Sequence, residues 1–287
     1  MKTLTLILLM LTLAADKPAY QLFNKTGEKT NYESLIKELQ EADVILFGEL
    51  HNDPINHWLQ LQVTKSLFVS KQKDLILAAE MFEADDQLVL DEFLAGTITA
   101  QHFENEAKVW PNYKTDYLPL VSFAKLHQLE FIASNIPRRY ASLTAREGLS
   151  ALEDLSKKAK SYIAPLPIEV DMELPGYKNM ISMMGGSAHG GGMRAENFVH
   201  AQAIKDATMA DKILSSWKKG KTVLHFNGTY HSNNFEGIAW YLKQQKPNLK
   251  IVTIAATSQD NLDELEPENA GSGNFILVTP SDMTKTH

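Results

Sequence analysis

The chain has 287 residues, 44% of them hydrophobic and 22% charged, with a formal net charge of −7 at pH 7; this is the composition of a globular protein that can bury a large core within one domain. The acidic balance argues against a nucleic-acid footprint, because the basic residues are scattered and the densest runs, SKKAK and WKKGK, read as solvated helix faces. Cysteine is absent, which excludes thiolate nucleophiles, cysteine-ligated zinc, iron–sulfur clusters and disulfides.

The chain begins MKTLTLILLMLTLAAD. Lys2 supplies a positive start, Leu4 to Ala14 an apolar core, and Ala14 and Ala15 a small-residue end. That is the form of a secretory signal peptide, too short for a comfortable membrane span; a buried N-terminal strand or helix is the alternative. The expectation is a leader at 1–15 and one mature domain at 16–287, exported and periplasmic or envelope-associated. Without a cysteine at the cleavage point, a diacylglyceryl anchor is not expected.

Beyond the leader, apolar runs alternate with amphipathic ones. DVILF, LILAAEMF, LEFIASN, TVLHFN, IVTIAA and NFILVTP are continuous Val/Ile/Leu/Phe-rich runs, the pattern of parallel strands covered on both faces. Between them YESLIKELQ, INHWLQLQVTKSLFVS, DDQLVLDEFLAG, YLPLVSFAKLHQ, AENFVHAQAIKDATMADKILSSWKK and NFEGIAWYLKQQ carry helical spacing. The alternation predicts an α/β fold, with a mostly parallel central sheet and helices on both faces. No good strand pattern lies between Asn135 and Thr222. Residues from about 137 to 220 therefore read as an inserted helical subdomain, interrupted by Pro165, Pro167, Pro175 and the glycine-rich MMGGSAHGGGM.

In a parallel sheet, ligands bind beyond the carboxyl ends of the strands. Polar residues occupy four such ends here: Glu49 and His51 in GELHNDP; Glu80 and Glu83; Asn135 with Arg138 and Arg139; and Asn227, Tyr230 and His231 in NGTYH. Asp53 or Asn52 followed by Pro54 marks a helix start directly after the first of these ends. Carboxylates with two imidazoles could hold a divalent metal through Glu49, His51, Glu80 and His231 and acidify its water. Alternatively the same four residues act without metal, with a histidine as general base oriented by a carboxylate. Arg138 or Arg139 could clamp an anionic group. No helical His-Glu-x-x-His, P-loop, Gly-x-Ser-x-Gly or dinucleotide fingerprint is present.

Tyr177, Met180, Met183, Met184, His189 and Met193 crowd one stretch. Tyr, His and Met ligate haem iron where cysteine is lacking, and flexible Met-rich surfaces suit large apolar ligands. The competing reading makes the methionines the inner stripe of a helix. Trp58, Trp110, Tyr113 and Tyr117 read as core or rim.

Gly48-Glu49-x-His51, Glu80, the segment ENFVHAQAIKDATMADKI and NGTYH together resemble the ChaN family of bacterial haem-binding proteins implicated in iron uptake. That family is placed in the Tiki superfamily beside erythromycin-esterase-like proteins. The resemblance spans roughly residues 25 to 260 and implies an exported α/β protein whose cofactor and partner is haem. It also implies a homodimer packing haem between subunits and a link to an outer-membrane haem-uptake system. Family haem ligands are described as Tyr assisted by His; local chemistry makes Tyr177, His189 and Met184 the candidates here, with Arg138 and Arg139 for haem's acidic groups. The strand-end set Glu49, His51, Glu80 and His231 corresponds to the superfamily's shared pocket, which in relatives is associated with metal-dependent hydrolysis. The alternative function is therefore a metal-dependent or histidine-based hydrolase.

Overall fold

The computed structural model describes residues 17–183 and 195–287; the leader at 1–15, Met184 and His189 lie outside the described residues. Eight strands form one sheet: β1 (Gln21–Asn24), β2 (Lys29–Thr30), β3 (Val44–Glu49), β4 (Leu75–Glu83), β5 (Phe131–Asn135), β6 (Thr222–Gly228), β7 (Ile251–Gln259) and β8 (Phe275–Pro280). Their order is β2-β1-β8-β7-β3-β6-β4-β5. The run from β8 to β5 is parallel, and β1 and β2 add an antiparallel edge. The six apolar runs read from sequence are the six parallel strands. The edge strands carry four and two residues, too few for any period to register.

Ten α-helices complete the described structure: α1 (Tyr32–Leu39), α2 (Pro54–Lys71), α3 (Gln87–Ala95), α4 (Ala100–Glu106), α5 (Leu118–His127), α6 (Arg138–Glu147), α7 (Lys157–Lys160), α8 (Pro175–Met183), α9 (Ala195–Ser216) and α10 (Ile238–Gln245). Every residue of β3, β4 and β6 is buried, so successive side chains feed two separate cores. Ile45, Phe47, Leu77, Ala79, Leu224 and Phe226 pack with α1–α5. Val44, Leu46, Ile76, Ala78 and Val223 pack with α6, α9 and α10. The region from 137 to 220 holds α6–α9, and α9 lies directly on β4, β5 and β6.

The junction after β3 follows from its residues. Asp53 caps α2, its carboxylate accepting from the backbone N–H of Ile55 at 2.9 Å and of Asn56 at 3.1 Å, with Pro54 in the first turn. The second Asp53 oxygen accepts from the Thr279 hydroxyl at 2.7 Å, tying the turn to the end of β8. Gly48 is where β3 passes closest to its neighbours. A Cβ there would stand 2.8 Å from Thr229 Cα and 2.9 Å from the Ile254 carbonyl oxygen, both backbone atoms.

Gly48→Ala should therefore push the β6 turn and β7 away from β3 and cost about 1–3 kcal/mol, the usual penalty of overpacking. Urea denaturation of both proteins measures it; an unchanged midpoint would contradict the close approach.

Candidate functional site

The alternation of strand side chains sends the two strand-end glutamates to opposite faces. Glu49 continues the β3 series that includes Ile45 and Phe47 and points to the α2 and α5 side. Its Oε1 accepts from the Tyr117 hydroxyl at 2.7 Å and lies 2.9 Å from His51 Nδ1, while Oε2 accepts from the Gln60 amide. Tyr117 belongs to a π-helical segment, Tyr113–Tyr117. Burial and the adjacent Glu49 carboxylate push its hydroxyl pKa far up, so it stays a donor. The backbone of His51 is pinned as well: its carbonyl accepts from His57 Nε2 at 3.0 Å and Asn112 Nδ2 at 3.1 Å. Its ring sits edge-on to Trp110 at 4.9 Å between centroids. Burial works against a charged His51, but the Glu49 hydrogen bond and the Glu80 and Glu49 charges outweigh it and raise its pKa.

Glu80 continues the series of Ile76 and Ala78 and points to the α9 side. There Glu80 Oε1 meets His231 Nε2 at 3.1 Å, and His231 Nδ1 meets Asp206 Oδ1 at 2.5 Å. All three side chains are buried. Burial opposes the His231 cation, yet Glu80 and Asp206 hold its pKa up at about 10. For Glu80, burial is overridden by the His231 and His51 charges and the Gly228 N–H, and its carboxyl is held well below the usual range. For Asp206 burial wins, and its pKa is raised. Tyr177 donates its hydroxyl to Asp206 Oδ2 at 3.2 Å, and the Gln202 amide lies 2.9 Å from His231 Nδ1.

Gly228 joins the two halves. It pairs with Glu49 across the β3–β6 ladder, and its N–H donates to Glu80 Oε2 at 2.7 Å. A Cβ at this position would lie 2.6 Å from His51 Nε2, so only glycine lets the His51 ring cross the sheet end toward Glu80. The four residues expected to share a pocket are thus neighbours, but not one ligand sphere. Both His231 nitrogens face carboxylates, and His51 Nδ1 faces Glu49. Among the described residues no three His, Asp or Glu side chains are spaced to hold a metal ion, so the residues do not fit a divalent centre.

Beside this cluster opens a cavity of about 720 Å³ between the ends of β4 and β5 and helices α6, α8 and α9. The ends of β4 and β5 and the loop at 110–111 contribute Glu80, Glu83, Asn135, Trp110 and Pro111 to its lining; the turn after β5 and helices α6, α8 and α9 contribute Ile136, Ala141, Met180, Phe198 and Ala201, with Ser142 and Gln202. Arg138 and Lys205 are also in its lining. Arg138 Nε donates to Glu83 Oε1, and its Nη2 donates to the Lys108 carbonyl at 3.0 Å. Arg139 turns to Asp85, 2.6 Å from Nη1. Tyr177 is buried, with its hydroxyl engaged by Asp206, whereas Met180 from the same helix borders the cavity.

Sequence reasoning did not single out Asp206, Gln202, Gln60 or His57. A signal existed for the first two. Gln202 and Asp206 stand four apart within the apolar stripe of Val199, Ala203, Ile204, Ala207 and Ala210. A carboxylate on the core-facing side of a helix requires a buried partner.

The family model described as haem-binding uptake, Tiki superfamily, ChaN matches residues 35–242. Among solved structures, ChaN of Campylobacter jejuni, described with cofacial haem binding, is 21% identical. That match covers 91% of this chain and 97% of the other, with a TM-score of 0.68, a likeness of fold. A Bacillus cereus protein matches at 13% identity over 79% of this chain and 69% of its own, with a TM-score of 0.47. An erythromycin esterase in an open conformation matches at 13% identity over 91% and 83%, with a TM-score of 0.44. No curated protein matches the sequence.

His231→Gln leaves Glu80 and Asp206 buried without a cation and should cost about 3–5 kcal/mol at pH 7. The pH dependence has a definite sign. The His231 pKa is raised from 6.5 to about 10, so its stabilisation is complete below the unfolded value and is lost as pH rises through the folded one. Urea midpoints between pH 6 and 10.5 should fall for the native chain and fall less for His231→Gln; parallel curves would contradict the buried imidazolium.

Proposed function

The chain belongs to the haem-binding uptake family ChaN of the Tiki superfamily, and from that premise we propose that it binds haem and acts in haem uptake outside the cytoplasm. The observation that carries the assignment to a place is the cavity beside α8 and α9. At about 720 Å³ it falls in the range of small-molecule and cofactor sites, about 300–1,000 Å³. Ile136, Met180, Phe198 and Ala201 put apolar side chains in its lining, as a porphyrin face requires. Lys205 and Arg138, the latter paired with Glu83, supply cations for the propionates. Met180 is a side chain of the haem-ligating type in that lining; Met184 and His189, which follow α8 in the chain, are the further ligand candidates. The cofacial haem binding of the Campylobacter jejuni protein supports a homodimer that stacks two haems. The leader-like sequence at 1–15 supports export to the periplasm or envelope, where an outer-membrane uptake system would be its source of haem.

A second reading, a hydrolase, is favoured by one feature: the Glu49–His51 pair, with a carboxylate on Nδ1 and Nε2 directed across the sheet end. That is the arrangement of an oriented general base. No metal enters this reading. With its pKa raised, His51 would be active as a base only as pH rises through that value. A panel of esters tests it, and turnover unaffected by His51→Ala would end it.

Titration of the haem-free chain with haemin should give a saturable Soret shift. Ala201→Trp narrows the cavity, and Lys205→Glu reverses a charge of its lining. Each should weaken binding about tenfold or more, with thermal unfolding confirming that the variants are folded. No Soret change in the native chain, or native affinity in both variants, would refute the site.

A further inference from the structure

The end of the sheet away from the cavity carries a charge opposite to that of the whole molecule. The parallel strands start level: Val44 pairs with Val223 and Ile251, Leu75 with Thr222, and Leu77 with Phe131. The segments that lead into β3 to β7 therefore emerge along one edge, together with the last turns of α1, α2, α5, α9 and α10. Those segments, residues 37–43, 65–74, 125–130, 217–221 and 243–250, hold eleven lysines, no arginine and five acids. Their formal charge is +6 in a chain whose total is −7.

Lysines at helix ends commonly answer the helix dipole, and part of this set does so. Lys73 Nζ donates to the carbonyls of His127 at 2.6 Å and Gln128 at 2.8 Å, and Lys243 Nζ to that of Leu249 at 2.7 Å. Among the described residues two of the eleven pair with a carboxylate, Lys221 with Glu130 and Lys250 with Glu41, both at 3.8 Å. Lys65, Lys218 and Lys219 are exposed, and among the described residues no carboxylate lies within 4 Å of them. The backbone beneath is pinned. The Thr222 hydroxyl donates to the Ala42 carbonyl at 2.8 Å, and the Lys250 N–H to Asp43 at 2.9 Å.

Two large apolar side chains stand at the same edge. Val69 in the last turn of α2 is 77% exposed, and Leu126 in the last turn of α5 is 76% exposed. Their helix ends are joined through Phe68, whose ring lies 5.5 Å from that of Phe123 and 4.4 Å from that of His127. One exposed aliphatic is ordinary; a pair beside unpaired lysines is the make-up of a surface that enters the boundary between headgroups and acyl chains. Five level strand entries, about 4.8 Å apart, spread the charge along a row of about 19 Å. Lysine is a point charge on a flexible stem and suits mobile phosphodiester headgroups, whereas fixed phosphates and paired carboxylates favour the arginine fork. We propose that this edge of the sheet docks on an anionic phospholipid surface, with the lysines over the headgroups and Val69 and Leu126 at the acyl boundary. The cavity lies at the opposite ends of β4 and β5, so on a docked molecule it faces away from the lipid.

The test is co-sedimentation of the full chain, without haemin, with vesicles of phosphatidylcholine alone or with about one third phosphatidylglycerol. Binding should be saturable on the anionic vesicles, absent on the neutral ones, and lost at about 0.5 M NaCl. Lys218→Glu with Lys219→Glu, and Lys65→Glu with Lys71→Glu, should each weaken it about tenfold or more, at about fivefold per lysine removed. Val69→Ser with Leu126→Ser should weaken it about fivefold. Lys114→Glu with Lys178→Glu, the same charge change at the cavity end, should leave it within about twofold. Thermal unfolding confirms that each variant is folded. The proposal is overturned if anionic vesicles do not bind, or if neutral vesicles bind as well, as insertion through the apolar residues 4–14 would have it. It is equally overturned if the Lys114 and Lys178 pair weakens binding as much as the Lys218 and Lys219 pair, or if the Val69 and Leu126 pair changes nothing. Binding of polyglutamate or duplex DNA without binding of vesicles would also overturn it. The Soret titration reads the other end of the molecule, so either result can fail without the other.

Discussion

An imidazolium buried between two carboxylates organises this protein. His231 reaches Glu80 with one nitrogen and Asp206 with the other, and all three are buried. Such a charge is tolerated inside a protein only when each partner is present and its remaining hydrogen-bond capacity is used. Here Gly228 N–H and the Tyr177 hydroxyl provide those bonds. Three elements distant in sequence are thereby locked together: the end of β4, the middle of α9 and the turn after β6. The cavity exists because these elements meet beside it without closing over it.

The second constraint is the two-residue period of the strands. Because β3 and β4 are buried on both faces, Glu49 and Glu80 enter different cores, one among Gln60 and Tyr117, the other among His231 and Asp206. A single continuous pocket would have needed both on the same face. Communication across the sheet end instead runs through His51 and depends on Gly228 having no side chain. Electrostatically the halves still sense each other, since Glu80 contributes to the raised pKa of His51. Protonation and stability in this region are therefore coupled, while the cavity opens on the α9 side.

The cavity draws its lining from both kinds of element. Strand ends contribute Glu80, Glu83 and Asn135, and helices α6, α8 and α9 contribute Ala141, Met180, Phe198 and Ala201 beside Arg138, Gln202 and Lys205. Apolar and charged side chains therefore share one opening, the combination that an aromatic, acidic cofactor calls for.

Much of this was legible in the sequence. The six parallel strands, the cap at Asp53 with Pro54, the residues Glu49, His51, Glu80 and His231 at strand ends, and the family resemblance all rest on local patterns: apolar runs, turn chemistry and motif spacing. Local patterns have no access to partners distant along the chain. Asp206 was hidden in a helix that reads as continuous apolar stripe, Gln60 and Tyr117 in elements that read as core, and the edge strands were too short to show a period. The sequence determined which side chains stand at the ends of the sheet, because strand period and helix caps are set within a few residues. Which of them face each other was decided only by the tertiary structure, because the parity of each strand and the crossing of α9 assign every carboxylate to a face and every histidine to its partner.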